Sequence, residues 1–244
     1  MRVYVGFDDT DVAGADRGTG KLARWFEDKL PRGVRLWGAV RQQLPIIEGI
    51  PYTSKNSSAC LMIDMDEPDR MNEIIDLAAD HIQEHFMEGS DPGLCVVPEG
   101  SRAVDDLKAF GRVACNRIVS QKEAMRTVNG EHLSGHGGTD DGIIGAAAGV
   151  GLTLGGWSGR FIEFNDLRRF GTETTVGALE AHGIQVLSID RNALVPGFDD
   201  VVDTRNWLRP RLWAFKPVLP VRAMGAGHWQ SVGSRNKRNT PRHQ

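Results

Sequence analysis

Val3, Val5 and Phe7 fall on one alternating face of RVYVGF at 2–7, the period of a strand that starts almost at the first residue. Beyond an acidic, glycine-rich turn, KLARWFEDKL at 21–30 sets Leu22, Trp25, Phe26 and Leu30 near one side, which predicts a short helix stopped by Pro31 and Gly33. Val34–Val40 and the apolar run at 59–65 read as strands on either side of the polar, turn-prone IPYTSKNSS. The clearest helix spans 68–86. Pro68 suits its first turn, Met71, Ile74, Ile75, Ala78, Ala79, Ile82 and Phe86 form one stripe, and Gly89 lies just past its end.

Downstream, Leu94–Val97 predicts a strand, 104–119 and Gln121–Val128 two helices, and 134–156 a glycine loop leading into a short helix of small residues. That helix has almost no side-chain volume, so it must lie close against a neighbour. Shorter elements follow: a strand at Arg160–Phe164, a helix at Thr175–Ala181 and a strand at 184–189. Prolines, basic residues and Trp207, Trp213 and Phe215 mark 205–223 as an extended surface segment rather than a helix. From Ser231 onward Val232 is the sole apolar side chain, and disorder is expected. Interleaved strands and helices place the chain in the α/β or α+β class, with two lobes.

Composition narrows this picture. The chain has 244 residues, 40% apolar and 25% charged, which fits a soluble globular protein of one large or two small domains. Cys60, Cys95 and Cys115 are too few and too scattered for a disulfide framework, and no CxxC pair opens a zinc or redox site. A reducing, cytoplasmic setting is expected, with no membrane contact, since neither a signal peptide nor an 18-residue apolar run is present. Net charge is only −3, but from Thr204 onward there are nine Lys/Arg and no acid. The body is therefore acidic, and its basic end either contacts phosphate or simply faces solvent.

Candidate chemistry concentrates at the turn after the first strand. Asp8, Asp9 and Asp11 could share a magnesium ion with substrate phosphates, because hard cations take oxygen ligands. They could equally cap turn backbone. A phosphatase of the haloacid dehalogenase kind also begins with a strand and two acids two apart, as Asp9 and Asp11 are, but would want Thr or Val where Ala13 stands. Thr19, flanked by Gly18 and Gly20 and followed by Lys21, either caps the next helix or lies beside bound phosphate. GTGK is not a Walker loop, since Ala15 occupies its first glycine position.

Two polar stretches add donors. Thr53, Ser54, Lys55, Asn56, Ser57 and Ser58 suit phosphate or a nucleobase, or form an exposed turn. In GHGGTDDG, Gly137, Gly138, Thr139 and Gly142 permit either ligand contact at a helix start or close packing. His81, Glu84 and His85 match the H-x-x-E-H pattern of inverted zinc peptidases. The coherent apolar stripe and the lack of a third ligand argue against zinc, and a solvated helix surface is expected there. His136 is read as a loop residue in preference to a catalytic base.

Four of these segments, in order, resemble motifs of the archaeal tRNA(Ile) agmatinylcytidine synthetase family: VGFDDTD at 5–11, IPYTSKNSSAC at 50–60, DPGLCVV at 91–97 and GIIGAAAGVG at 142–151. The resemblance covers roughly residues 1–160. It implies a kinase-like, ATP- and Mg-using domain that activates a tRNA cytidine carbonyl by phosphorylation before agmatine displaces it, accompanied by a ferredoxin-like domain, an OB domain and a zinc ribbon. It further implies that Asp8, Asp9 and Asp11 hold metal, that Thr19 handles phosphate, and that Lys55 and the loop before Gly142 approach the nucleotide. Val12 replaces the family's Ser, Gly18 its Cys, and Asn56-Ser57-Ser58 its Asn-Gly, and no cysteine pair is present for the ribbon.

The resulting expectation is a two-lobed protein: a kinase-like nucleotide region over 1–165 interleaved with a ferredoxin-like portion, an α/β portion over 166–230, and a basic tail over 231–244. Its expected activity is ATP- and Mg-dependent phosphoryl or nucleotidyl transfer to a carbonyl or amide-bearing acceptor, tRNA or another RNA being a partner. A noncatalytic nucleotide-binding or RNA-associated protein and a metal-dependent phosphohydrolase are the alternatives.

Overall fold

The computed structural model describes residues 1–50, 56–192 and 194–233. Thr53, Ser54 and Lys55, and the tail from Ser234, lie outside the described residues. The chain divides into two compact units, Met1–Asn165 and Asp166–Gln244.

In the first unit β1 (Arg2–Asp8), α1 (Thr19–Trp25), β2 (Val34–Gln43), β3 (Ser57–Met65), α2 (Met71–His85) and β4 (Gly93–Pro98) follow one another. β1 lies between β3 and β4, antiparallel to both, and β2 flanks β3. The order β4-β1-β3-β2 with this βαββαβ sequence is the ferredoxin-like pattern. α3 (Val104–Ala114), α4 (Gln121–Val128), β5 (His132–Gly135), α5 (Gly142–Leu154) and β6 (Arg160–Glu163) complete the unit, with β5 added beside β4 and β6 beside β2.

Helices cover both faces of this sheet, so its central strands are apolar throughout instead of alternating. Val3, Val5 and Phe7 of β1 face α1 and α2, packing with Leu22, Phe26, Ile74, Ala78 and Ile82 in a core without exposed members. α5 covers the other face. A Cβ on Gly6 would lie 2.6 Å from the Ala146 carbonyl oxygen, one on Gly149 would strike the Ser58 hydroxyl, and one on Gly151 the Leu107 carbonyl of α3. The small residues of α5 thus bring three backbones into contact. No described helix is long and apolar enough to cross a membrane.

The second unit contains β7 (Glu173–Thr175), α6 (Val176–Ala181), β8 (Gln185–Ser188), β9 (Val201–Asp203), β10 (Arg211–Trp213), β11 (Lys216–Gly225) and β12 (His228–Ser231). β10, β11, β12, β9 and β7 are successive neighbours, and β8 pairs with β11 in parallel.

Several boundaries differ from expectation. α1 begins at Thr19 and passes into a 3₁₀ turn over Phe26–Lys29. α3 ends at Ala114, where the Asn116 side-chain amide donates to the Arg112 carbonyl, and Ser120 then starts α4 with a capping box to Glu123. The surface segment expected over 205–223 is strand-forming: Pro217 pairs with Leu212 and Pro220 with Leu187 in register.

Candidate functional site

β1 carries Asp8 and Asp9 to the rim of the sheet. A strand that continued would send them to opposite faces. Instead Asp9 takes φ 48°, which ends the strand and leaves both lining one cleft of about 680 Å³. That volume suits a small molecule of nucleotide size. Burial, reinforced by the Asp9 charge, pushes the Asp8 carboxyl up to about 8. Burial and then the Asp91 charge raise Asp9 to about 6, although the Asp91 N–H donates to its carboxylate.

Asp11 points to α1. Its Oδ1 accepts from the Thr19 N–H at 3.1 Å and from the Thr19 hydroxyl at 3.3 Å, while Thr19 Oγ1 accepts from the Thr10 N–H at 3.3 Å. Asp11 therefore caps α1 from outside the helix, and the buried Thr19 hydroxyl sits between the acidic turn and the helix start. Gly18 is the N-cap residue beside this carboxylate. Asp8, Asp9 and Asp11 do not bring one oxygen each within 4.8 Å of the others. Their chemistry still fits a hard cation: oxygen donors only, with burial and neighbouring carboxylates raising both Asp8 and Asp9 in the absence of a metal.

Asp91 and Asp141, which the sequence reading did not single out, complete the acidic end. Asp91 precedes β4. Its carboxylate accepts from the Thr139 N–H at 2.9 Å and the Thr139 hydroxyl at 2.6 Å, and its carbonyl accepts from the Gly142 N–H at 3.0 Å. A Cβ on Gly138 or Gly142 would collide with Asp91. Gly138, Thr139 and Gly142 thus seat Asp91 and the start of α5. Gly142 also lines the cleft, whereas Gly137, Gly138 and Thr139 do not.

Leu44, Ile50, Ile118, Val119 and Met125 add apolar lining, with Lys122 and with Arg117, whose guanidinium is 2.6 Å from Glu123 Oε1. Asn56 lines the cleft while donating its amide to the Pro45 carbonyl at 2.8 Å. Lys21 is not among the lining residues; its ammonium lies 5.1 Å from the centre of the Trp25 ring. Lys55 falls outside the described residues.

The H-x-x-E-H segment departs from the solvated surface expected of it. His81 is 1% exposed, its ring packed 5.4 Å from that of Phe26, because it borders the apolar stripe of α2. Ser134 Oγ on β5 lies 2.8 Å from Nε2 of both His132 and His136, so His136, one residue past the strand, extends its polar row.

No family model matches the chain. It is 30% identical over 182 residues to the isoleucine-tRNA agmatinylcytidine synthetase TiaS of Archaeoglobus fulgidus, covering 71% of this chain and 41% of that protein. Among solved structures it resembles the complex of TiaS with an isoleucine tRNA and ATP, with TM-score 0.54 and 28% identity over 72% of this chain and 42% of that one. The complex of TiaS with the same tRNA, AMPCPP and agmatine gives TM-score 0.53 and 26% identity over 74% and 44%. The resemblance carried by the four motifs therefore holds over most of the chain, which spans less than half the length of these relatives.

Proposed function

We propose that this chain, similar to TiaS over most of its length, binds ATP with Mg²⁺ in the acidic cleft and transfers a phosphoryl or nucleotidyl group to a carbonyl or amide oxygen of an acceptor. A tRNA cytidine is the acceptor class that the relatives favour. The observation that carries this reading is that Asp8, Asp9, Asp91 and Thr19 line one nucleotide-sized cleft together with apolar and basic side chains.

Asp8 and Asp9 would hold magnesium together with substrate phosphate oxygens, with Asp91 beside them, and the ion would neutralise charge developing on the transferred group. Asp11 accepts the Thr19 hydroxyl proton and so fixes that side chain at the start of α1, beside the cleft. Ile118 and Met125 offer apolar surface to a base, with Arg117 and Lys122 beside it. The acceptor oxygen attacks phosphorus directly and ADP or pyrophosphate departs, so no protein nucleophile is needed. An amine that then displaces the activated oxygen must lose a proton, which solvent can take.

The turn of Lys21 toward Trp25 favours a second reading, noncatalytic nucleotide binding, because it removes a cation from the phosphate end. The deciding experiment incubates the protein with Mg-ATP, a tRNA transcript and agmatine, and separates the nucleotide products. ADP, AMP or pyrophosphate release that requires the transcript supports transfer. ATP binding without turnover supports the accessory reading, and release without any acceptor supports a phosphohydrolase.

A further inference from the structure

The last two turns of α2 bring together groups that the cleft does not use. One ligand atom each from His81, Glu84 and His85 lies within 4.8 Å of the others, the one such trio of His, Cys, Asp and Glu among the described residues. His81 Nε2 is 2.9 Å from the Leu22 carbonyl oxygen, an acceptor, so this nitrogen carries the proton. Its Nδ1 is then the lone-pair nitrogen, and it is buried without a hydrogen-bond partner. A buried acceptor left unsatisfied calls for an explanation.

We propose that His81, Glu84 and His85 bind a borderline divalent transition-metal ion of the zinc type. Two imidazoles and a carboxylate are a donor set for such an ion in preference to Mg²⁺ or Ca²⁺, and a water would complete a tetrahedron. Spacing at i, i+3 and i+4 puts all three on one side of the helix. The His81 and His85 ring centres are 4.6 Å apart. The bond from His81 to a backbone carbonyl is the outer contact that fixes tautomer and ring orientation in metal-ligating histidines.

Glu84 is exposed and His85 half-buried, so the trio reaches solvent through them. The Lys29 ammonium is 2.9 Å from Glu84 Oε2, so the ion shares this carboxylate with Lys29. The third ligand whose absence argued against zinc is Glu84 itself. Through Leu22 the ion would tie the end of α2 to α1. No substrate or chemistry at the cleft enters this inference.

The test uses untagged protein in excess Mg²⁺, which occupies the carboxylate cleft. Zinc is titrated by calorimetry and Co²⁺ by its visible absorption. Glu84→Gln alters an exposed position and His85→Ala a half-buried one, and their melting without metal checks folding; Asp9→Asn and the double change His132→Ala, His136→Ala are controls. We expect saturation near one ion per chain with Co²⁺ bands of low-symmetry coordination, and binding weakened about tenfold or more by His85→Ala, or about 1.4 kcal/mol. Both controls should bind as the unaltered protein does. No binding at about millimolar zinc, or a loss that follows a control variant and spares His85→Ala, overturns the proposal.

Discussion

Asp8 and Asp9 are the residues through which pH should act. Both carboxyls are raised on folding, to about 8 and about 6, so each favours the folded state while protonated and loses that contribution as pH rises through those values. From about pH 7, where the buried and half-buried histidines are already neutral, to about pH 9, metal-free protein should therefore melt at progressively lower temperature, and Asp8→Asn should flatten most of the dependence. Magnesium should reverse the fall at the alkaline end, because binding requires the deprotonated forms. A thermal-melt series across pH, with and without Mg²⁺, checks both signs; a rise in stability between about pH 7 and about pH 9 in metal-free protein would refute the burial account of these groups.

At this scale the sequence was informative wherever chemistry was local. The clustering of Asp8, Asp9 and Asp11 within four positions and the neighbouring Thr19 were visible in it. That Asp11 would turn to cap α1 was not, since it depends on where the loop carries Gly18. Asp91 and Asp141 were missed because they arrive from other segments, although DPG before β4 was a signal. The direction of Lys21 depends on Trp25 one turn away, a choice that residue types alone leave open.

Among elements, α5 has the tightest tolerances. A methyl at Gly145 would run into the Asp8 carboxylate. Ala would raise intrinsic helix preference by about 1 kcal/mol, so an unobstructed site would be stabilised. Gly145→Ala should instead lower the melting temperature and weaken Mg-ATP binding together. Gly100→Ala is the control, because its added methyl would meet nothing within 4 Å. A stabilised Gly145→Ala protein with unaltered nucleotide binding would contradict the described packing.

Strongly periodic elements such as β1, α2 and the run at 59–65 were readable because their apolar positions repeat. β5 was not, since His132-Leu133-Ser134-Gly135 pairs with β4 on one side and shows no apolar alternation. β10 and β11 were hidden by prolines, which read as interruptions, whereas Pro217 and Pro220 sit in paired register. The need for close packing at 134–156 was evident from glycine and alanine alone; which backbones would approach was a tertiary matter.

For the whole molecule, the charge imbalance along the sequence assigns an acidic body to the cleft and basic residues to the chain's end. Residues 234–244 add Arg235, Lys237, Arg238 and Arg242 with no apolar side chain. Their removal should leave the melting temperature unchanged, since they have nothing to bury. If they assist an RNA partner, the same truncation should weaken tRNA retention and reduce its salt dependence. A marked drop in melting temperature would show that the tail contributes to folding.

The central claim is that the carboxylates at the end of β1 bind ATP through magnesium, and calorimetric titration of Mg-ATP into the unaltered protein and Asp9→Asn tests it most directly. The account predicts binding that disappears on chelation of Mg²⁺ and an affinity about tenfold or more weaker in Asp9→Asn, about 1.4 kcal/mol, with folding intact. Equal affinity in the two proteins, or binding indifferent to magnesium, would contradict it.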